Sequence, residues 1–327
     1  MKVLTHEGNL YAADAQMREN RAAPDIDSKP AALSVPQGMT VTPIEASGIY
    51  CDSMHGQYII VSDETEHKVP VLFLMDDNGV VRAKKVIRGV PEINDMESIT
   101  KGPDGFFYCM TSQSHNRKGR LSASRKLLLR VSCSPDGEFS ATGTVSPYDL
   151  LSDAATREND SEWARFFLSG VRDKSIDIEG IAFFSDTLLL GFKDPKLRQN
   201  AVVLGIRNPA TLFDGTSIVN GQVFVWKLFP LYDSLSGCFC GISDLYMHKN
   251  GLLVGAATGV SRSSGVKEDI GMIWSYDIHT GITSIKRHFP GLKPEGITYN
   301  ESNGEYCIVF DNGSKNPSYY MKVKAPL

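Results

Sequence analysis

The chain has 327 residues, 42% of them hydrophobic and 22% charged, with a formal net charge of −4. That composition is globular rather than disordered, allows one large or two smaller cores, and gives no basic surface for nucleic acid or anionic membranes. The sequence holds no uninterrupted apolar run of about 18 residues for a membrane-crossing helix. Its first residues lack the apolar core of a secretory leader, so the expected location is the cytoplasm. The six cysteines, Cys51, Cys109, Cys133, Cys238, Cys240 and Cys307, show no zinc spacing and read as free thiols.

In chain order, residues 9–13 read as the remnant of a strand. Residues 15–38 are rich in proline, alanine and charge, and are expected to form a surface arm. Residues 39–44 read as a strand that completes a ring. From Glu45 a motif appears five times. The copies are "EASGIYCDSMHGQYIIVSDE" from Glu45, "DMESITKGPDGFFYCMTSQ" from Asp95, "SIDIEGIAFFSDTLLLGFKDP" from Ser175, "FCGISDLYMHKNGLLVGAAT" from Phe239 and "KPEGITYNESNGEYCIVFDNG" from Lys293.

Each copy has a small residue before an isoleucine: Gly48, Ser98, Gly180, Gly241 and Gly296. A short strand, a turn rich in Gly, Asp or Asn, and a second apolar strand follow. The step of roughly 50 to 60 residues is that of β-propeller blades. Continuous apolar runs such as "LLLGF" and "YCIVF" fit strands buried on both faces, as stacked blades require. The expected fold is therefore all-β: a single six-bladed propeller over residues 1–327, with five blades as the alternative. The longer gap between the second and third copies holds apolar residues at helical spacing, so residues 146–172 are expected as a helical insertion.

The chemistry concentrates where inner strands begin. Glu45, Asp95, Glu97, Asp177, Glu179, Asp244 and Glu295 come from different copies, yet a ring brings them around one axis. Two readings follow. Each acid can accept hydrogen bonds from backbone N–H groups of the next blade. Alternatively Asp95, Glu97, Asp177, Glu179 and Glu295 surround a hard cation, calcium being the simplest. A basic loop follows the second copy, where Arg117, Lys118 and Arg120 form an anion-binding candidate. Lys193 joins them from the equivalent loop of the third copy. Trp163, Trp226 and Trp274 read as packing residues.

Two blocks carry a family resemblance. "TSQSHNRKGRLSASRKLLLRV" and "DIEGIAFFSDTLLLGFKDP…AVVLGIRNPATLF" resemble, in the same order, blocks of the bacterial propeller family known as domain of unknown function 3616. The inner-strand pattern is more distantly similar to the phytase-like esterase and SdiA-regulated propellers. The first resemblance implies a fold and no activity. The phytase-like one implies calcium and phosphoester hydrolysis, by analogy only. The expected function is a non-catalytic propeller that binds a protein partner or a small anionic ligand at one face. The alternative is a calcium-dependent phosphoester or ester hydrolase.

Overall fold

The computed structural model describes residues 29–36, 44–234, 236–261, 268–313 and 315–327. The strand remnant at 9–13, most of the 15–38 arm, and residues 39–43 lie outside the described residues.

Five four-stranded antiparallel sheets are present among the described residues. Blade I comprises Ala46–Asp52, Gln57–Ser62, Val71–Met75 and Val81–Arg88. Blade II comprises Met96–Lys101, Phe107–Thr111, Leu128–Cys133 and Phe139–Val145. Blade III comprises Asp177–Phe184, Thr187–Asp194, Ala201–Arg207 and Val223–Phe229. Blade IV comprises Gly241–Met247, Leu252–Ser261, Glu268–Asp277 and Thr283–Pro290. Blade V comprises Lys293–Asn300, Glu305–Asp311, Tyr319–Lys324 and, as its outer strand, Ala31–Ala32 from near the N-terminus. The described part of the 15–38 segment is thus a sheet strand that closes the ring, in place of an arm.

The inner strands contact one another in the cyclic order I, II, III, IV, V and back to I. Five separate hydrophobic cores fill the five interfaces, one between each neighbouring pair. With every inner strand packed on two neighbours, no gap remains for another blade. Among the described residues the ring has five blades, the alternative to the six expected.

The apolar runs now have a physical explanation. Along the second strand of blade III, Leu188, Leu190 and Phe192 enter the core shared with blade II, while Leu189 enters the core shared with blade IV. In blade V, Tyr306, Ile308 and Phe310 face blade IV, and Cys307 and Val309 face blade I. Side chains alternate as in any strand, but both faces are dry. Trp274 is fully buried, and Trp226 packs edge-on against Tyr276. All six cysteines are free thiols.

Helices α1 (Pro147–Arg157) and α2 (Glu162–Asp173) lie between blades II and III. Ser146 and Ser161 cap them by accepting hydrogen bonds from the N–H groups of Asp149 and Ala164. Leu151, Trp163 and Phe167 seat both helices on the core between these blades. No helix among the described residues is long and apolar enough to cross a membrane.

A β-bulge recurs near the start of every inner strand, after Ala46, Met96, Ile178, Ile242 and Pro294. It sets the true alignment of the repeats. Gly48, Ser98, Gly180 and Gly296 are equivalent, but their counterpart in blade IV is Asp244 and not Gly241. These positions are crowded because inner strands converge there. A Cβ on Gly48 would stand 2.6 Å from the carbonyl oxygen of Glu97, and one on Gly296 would stand 3.0 Å from the Cα of Gly48.

Candidate functional site at the acidic mouth

The bulges order three tiers of side chains around the mouth where inner strands begin. Two positions before each bulged residue stand Glu45, Asp95, Asp177, Gly241 and Lys293. The bulged residues are Ser47, Glu97, Glu179, Ser243 and Glu295. Across from them on the second-strand side stand Asp63, Ser112, Lys193, Thr258 and Asp311. Blades I, II, III and V carry all the charges, and blade IV carries none at these positions. A cavity of about 90 Å³ opens here, with Glu45, Asp63, Glu97, Glu179, Lys193 and Glu295 among its walls. That is room for several waters or a small ion with its hydration shell.

The serines show what a bulge position does when it serves only the ring. Ser47 donates to the carbonyl of Met96, at 2.6 Å, and Ser243 to that of Pro294. Asp244 also acts as a clamp, accepting from the N–H of Ile297 at 2.8 Å. Burial pushes its carboxyl well above the usual range. The backbone-clamp reading therefore holds for Asp244, which is held by blade V.

The three bulge glutamates behave differently. Lys193 lies 2.7 Å from Glu179 and 3.5 Å from Glu295. Burial alone would depress its ammonium, but Glu179, Glu295, Asp177 and Glu97 together hold it well above the ordinary lysine value. Burial drives Glu179 upward and Lys193 only partly offsets it. Asp177 is pushed up to about 7, again by burial first, with Lys193 opposing and Asp95, Asp194 and Glu295 adding to the rise. Lys293 pairs with Asp311 at 2.8 Å, and that bond holds the Asp311 carboxyl low against the effect of burial.

Glu97 has no such partner. It is 8% exposed, lines the cavity, and neither accepts a hydrogen bond nor makes an ion pair within the described residues. Burial, then Glu179, Asp63 and Asp95, push its carboxyl well above the normal range. Carboxylate oxygens of Asp63, Asp95 and Glu97 all lie within 4.8 Å of one another. Asp63 is pushed up to about 9 by burial and by a hydrogen bond shared with Asp95.

Asp95 is fixed in place from several sides. Its backbone is in the left-handed region, at φ 65°. Its N–H donates to the carbonyl of Asp63 and its C=O accepts from the N–H of Ser112. Its Oδ2 accepts from Arg125 and Ser112. A strained non-glycine conformation so thoroughly held is a frequent mark of a functional position.

The five acids singled out from sequence all reach this mouth, but they divide. Asp95 and Glu97 form one corner with Asp63. Asp177, Glu179 and Glu295 gather around Lys193. Lys193 thus lies among acids, apart from the basic loop. Arg117, Lys118 and Arg120 are exposed on that loop, whose turn is tied by Asn116 Oδ1 accepting from the N–H groups of Lys118 and Arg120. Arg117 is close enough to Glu45 to lower its carboxyl slightly, although burial dominates and raises it. Sequence reading missed Asp63, Asp311 and Lys293, and it counted Arg125 with the basic loop where the structure gives it to Asp95. Asp63 and Asp311 end second strands, so each copy's second acidic or polar end was the available signal.

Five four-stranded sheets closed around a channel define a β-propeller. Residues 149–264 match the model of a family described as protein of unknown function (DUF3616), and the resemblance expected from sequence is borne out over that stretch. No curated protein matches the chain. Among solved structures it is similar to an endo-arabinase from Bacteroides thetaiotaomicron VPI-5482, with 9% identity, a TM-score of 0.50, and coverage of 91% of this chain and 98% of that one. It is also similar to a gluconolactonase from Xanthomonas campestris, with 9% identity, a TM-score of 0.43, and coverage of 92% and 91%. A third likeness, to a hydrazine synthase from Kuenenia stuttgartiensis, has 11% identity, a TM-score of 0.38 and coverage of 84% of this chain. The chain spans 58% of that hydrazine synthase chain. At such identities the arabinase likeness concerns the fold alone.

Proposed function

We propose that this chain is a non-catalytic binding propeller that takes its ligand at the acidic mouth, with a hard cation, calcium in the simplest case, held at the corner of Asp63, Asp95 and Glu97. The observation that carries this reading is Glu97, a buried carboxylate that faces a cavity with no hydrogen bond or ion pair among the described residues and only a through-space attraction to Lys193. An uncompensated carboxylate in such a place requires either a proton or a cation. The oxygen separations support the second. Two ligands on one calcium ion stand at most about 4.8 Å apart, twice a Ca–O distance of roughly 2.4 Å. Arg125 and Ser112 hold Asp95 at Oδ2, and an ion at this corner would replace the proton that Asp63 and Asp95 share. Bound calcium would supply a positive centre for an anionic group of a small ligand or protein partner, with Arg117, Lys118 and Arg120 on the exposed loop beside it.

One observation favours a second reading, a calcium-dependent ester or phosphoester hydrolase. Asp177, pushed up to about 7, holds or releases a proton near neutral pH, as a general acid or base must. It stands at the same mouth as the cation corner.

Calorimetric titration of chelator-treated protein with calcium tests the binding reading. We expect saturable binding in the wild type and its loss in Glu97→Gln, which keeps the shape of the side chain. Absence of calcium binding to the wild type would overturn the proposal. Turnover of a generic phosphoester that disappears in Asp177→Asn but survives in a distant surface variant would select the hydrolase reading.

A further inference from the structure

The other mouth of the channel carries a second pocket, of about 250 Å³, at the ends of the inner strands. All five blades contribute to it. Blade I supplies Tyr50, blade III Phe183, blade IV Tyr246 and blade V Tyr299, and blade II adds Thr100 and Lys101. Tyr50, Phe183, Tyr246 and Tyr299 are half-buried, with faces or edges left on the lumen.

Packing behind the pocket holds these rings in place. Tyr50 meets Phe107 edge-on at 5.4 Å, and Tyr299 packs at a tilt against His248 at 4.7 Å and Tyr306 at 4.9 Å. Tyr306 and His248 are joined by a 2.6 Å hydrogen bond, which uses the phenol of Tyr306. The phenols of Tyr50, Tyr246 and Tyr299 have no hydrogen-bond partner among the described residues. The pocket therefore offers ring faces and three free hydroxyls on a rigid wall.

Charge narrows the ligand. Lys249 is 3.5 Å from Glu301 and both are exposed at the rim, so they largely cancel. Lys101 makes no ion pair among the described residues, and its ammonium lies over the Phe107 ring at 5.2 Å. Lys101 is thus the lining cation left without an ion pair among the described residues, and it offers a contact for one anionic group.

We propose that this mouth is a second ligand site, independent of the acidic one, for a small ring compound carrying one carboxylate. The ring would lie against Tyr246 and Tyr299, its hydroxyls would bond the free phenols, and its carboxylate would meet Lys101. A hydroxylated sugar acid and an aromatic acid share this chemistry.

Titration calorimetry with glucuronate, 4-hydroxybenzoate and choline tests the assignment. Saturable binding of either acid supports it, and the acid that binds identifies the ring type. Lys101→Met, which keeps the aliphatic stem, is expected to weaken binding by at least about tenfold. Tyr246→Phe, which keeps the packing, is expected to weaken it several-fold, and Glu97→Gln at the opposite mouth to leave it unchanged. Failure of both acids to bind the wild type, binding of choline in their place, or full affinity in Lys101→Met would overturn it.

Discussion

Replacing Lys193 by methionine keeps the aliphatic stem and removes only the ammonium. In the wild type that ammonium is 2.7 Å from Glu179 and 3.5 Å from Glu295, and each glutamate is 5% exposed. Removing one partner of a buried ion pair costs about 3–5 kcal/mol, because the remaining charge has lost its compensation. Lys193 itself is 27% exposed, so solvent already screens part of the attraction and the lower end applies, about 3 kcal/mol. The entropy of unfolding for a chain of this length is roughly 0.7 kcal/mol/K, which makes the loss about 4 °C in melting temperature.

The loss must depend on pH. Glu179 already has a raised carboxyl, and without Lys193 it rises further. A carboxyl raised in the native state binds a proton that the unfolded chain has released, so stability falls as pH climbs from the unfolded value toward the native one. The deficit of Lys193→Met should therefore be small at pH 5 and largest near pH 8. Adding Glu179→Gln should restore most of it at pH 8. Urea and thermal melts of the three proteins at both pH values measure this. Equal deficits at pH 5 and pH 8, or a double variant no better than the single one, would refute the reasoning.

The same linkage gives the wild type a calcium signature. Asp63, pushed up to about 9, makes the chelator-treated protein lose stability as pH rises from the unfolded carboxylate value toward 9. Calcium competes with that proton, so its thermal stabilisation should be greater at pH 8 than at pH 5.5, as scanning calorimetry would show. Gly48→Ala should cost more than about 2 kcal/mol in urea unfolding, because its Cβ meets backbone of blade II that cannot swing away. Asp244→Asn should be nearly neutral, since the amide keeps an oxygen for the N–H of Ile297 and burial already disfavours the charged carboxylate. Asp244→Ala should cost about 1–3 kcal/mol in the same assay by leaving the N–H of Ile297 unpaired. Leu190→Ala, in the core between blades II and III, should cost about 2–5 kcal/mol.

The repeat and its apolar runs were legible in the chain because they report burial on both faces of a strand, and the sheets follow from them. The acids were legible too, since Asp95 and Asp177 stand at one place in their copies and Glu97, Glu179 and Glu295 at another. The alignment of the fourth copy was not. Gly241 precedes an isoleucine and matches the text of the motif, but a bulge is a matter of pairing register, which places Asp244 at that position instead. The loss of the sixth blade has a similar cause. Blade number follows from how closely neighbouring sheets pack and where the chain returns, and it is Ala31–Ala32 pairing with Tyr320 and Tyr319 that closes the ring.

The division of the acids was also beyond sequence. Local pattern placed them at one mouth, and it placed Lys193 in a basic loop. Only the meeting of strands from different blades showed that Lys193 serves Glu179 and Glu295, that Arg125 serves Asp95, and that Glu97 is left with a cavity. Apolar periodicity is written along one strand and can be read there. Charge compensation is a property of neighbours in space, so only the closed ring decided that Glu179 and Glu295 meet Lys193 while Glu97 makes no hydrogen bond or ion pair among the described residues.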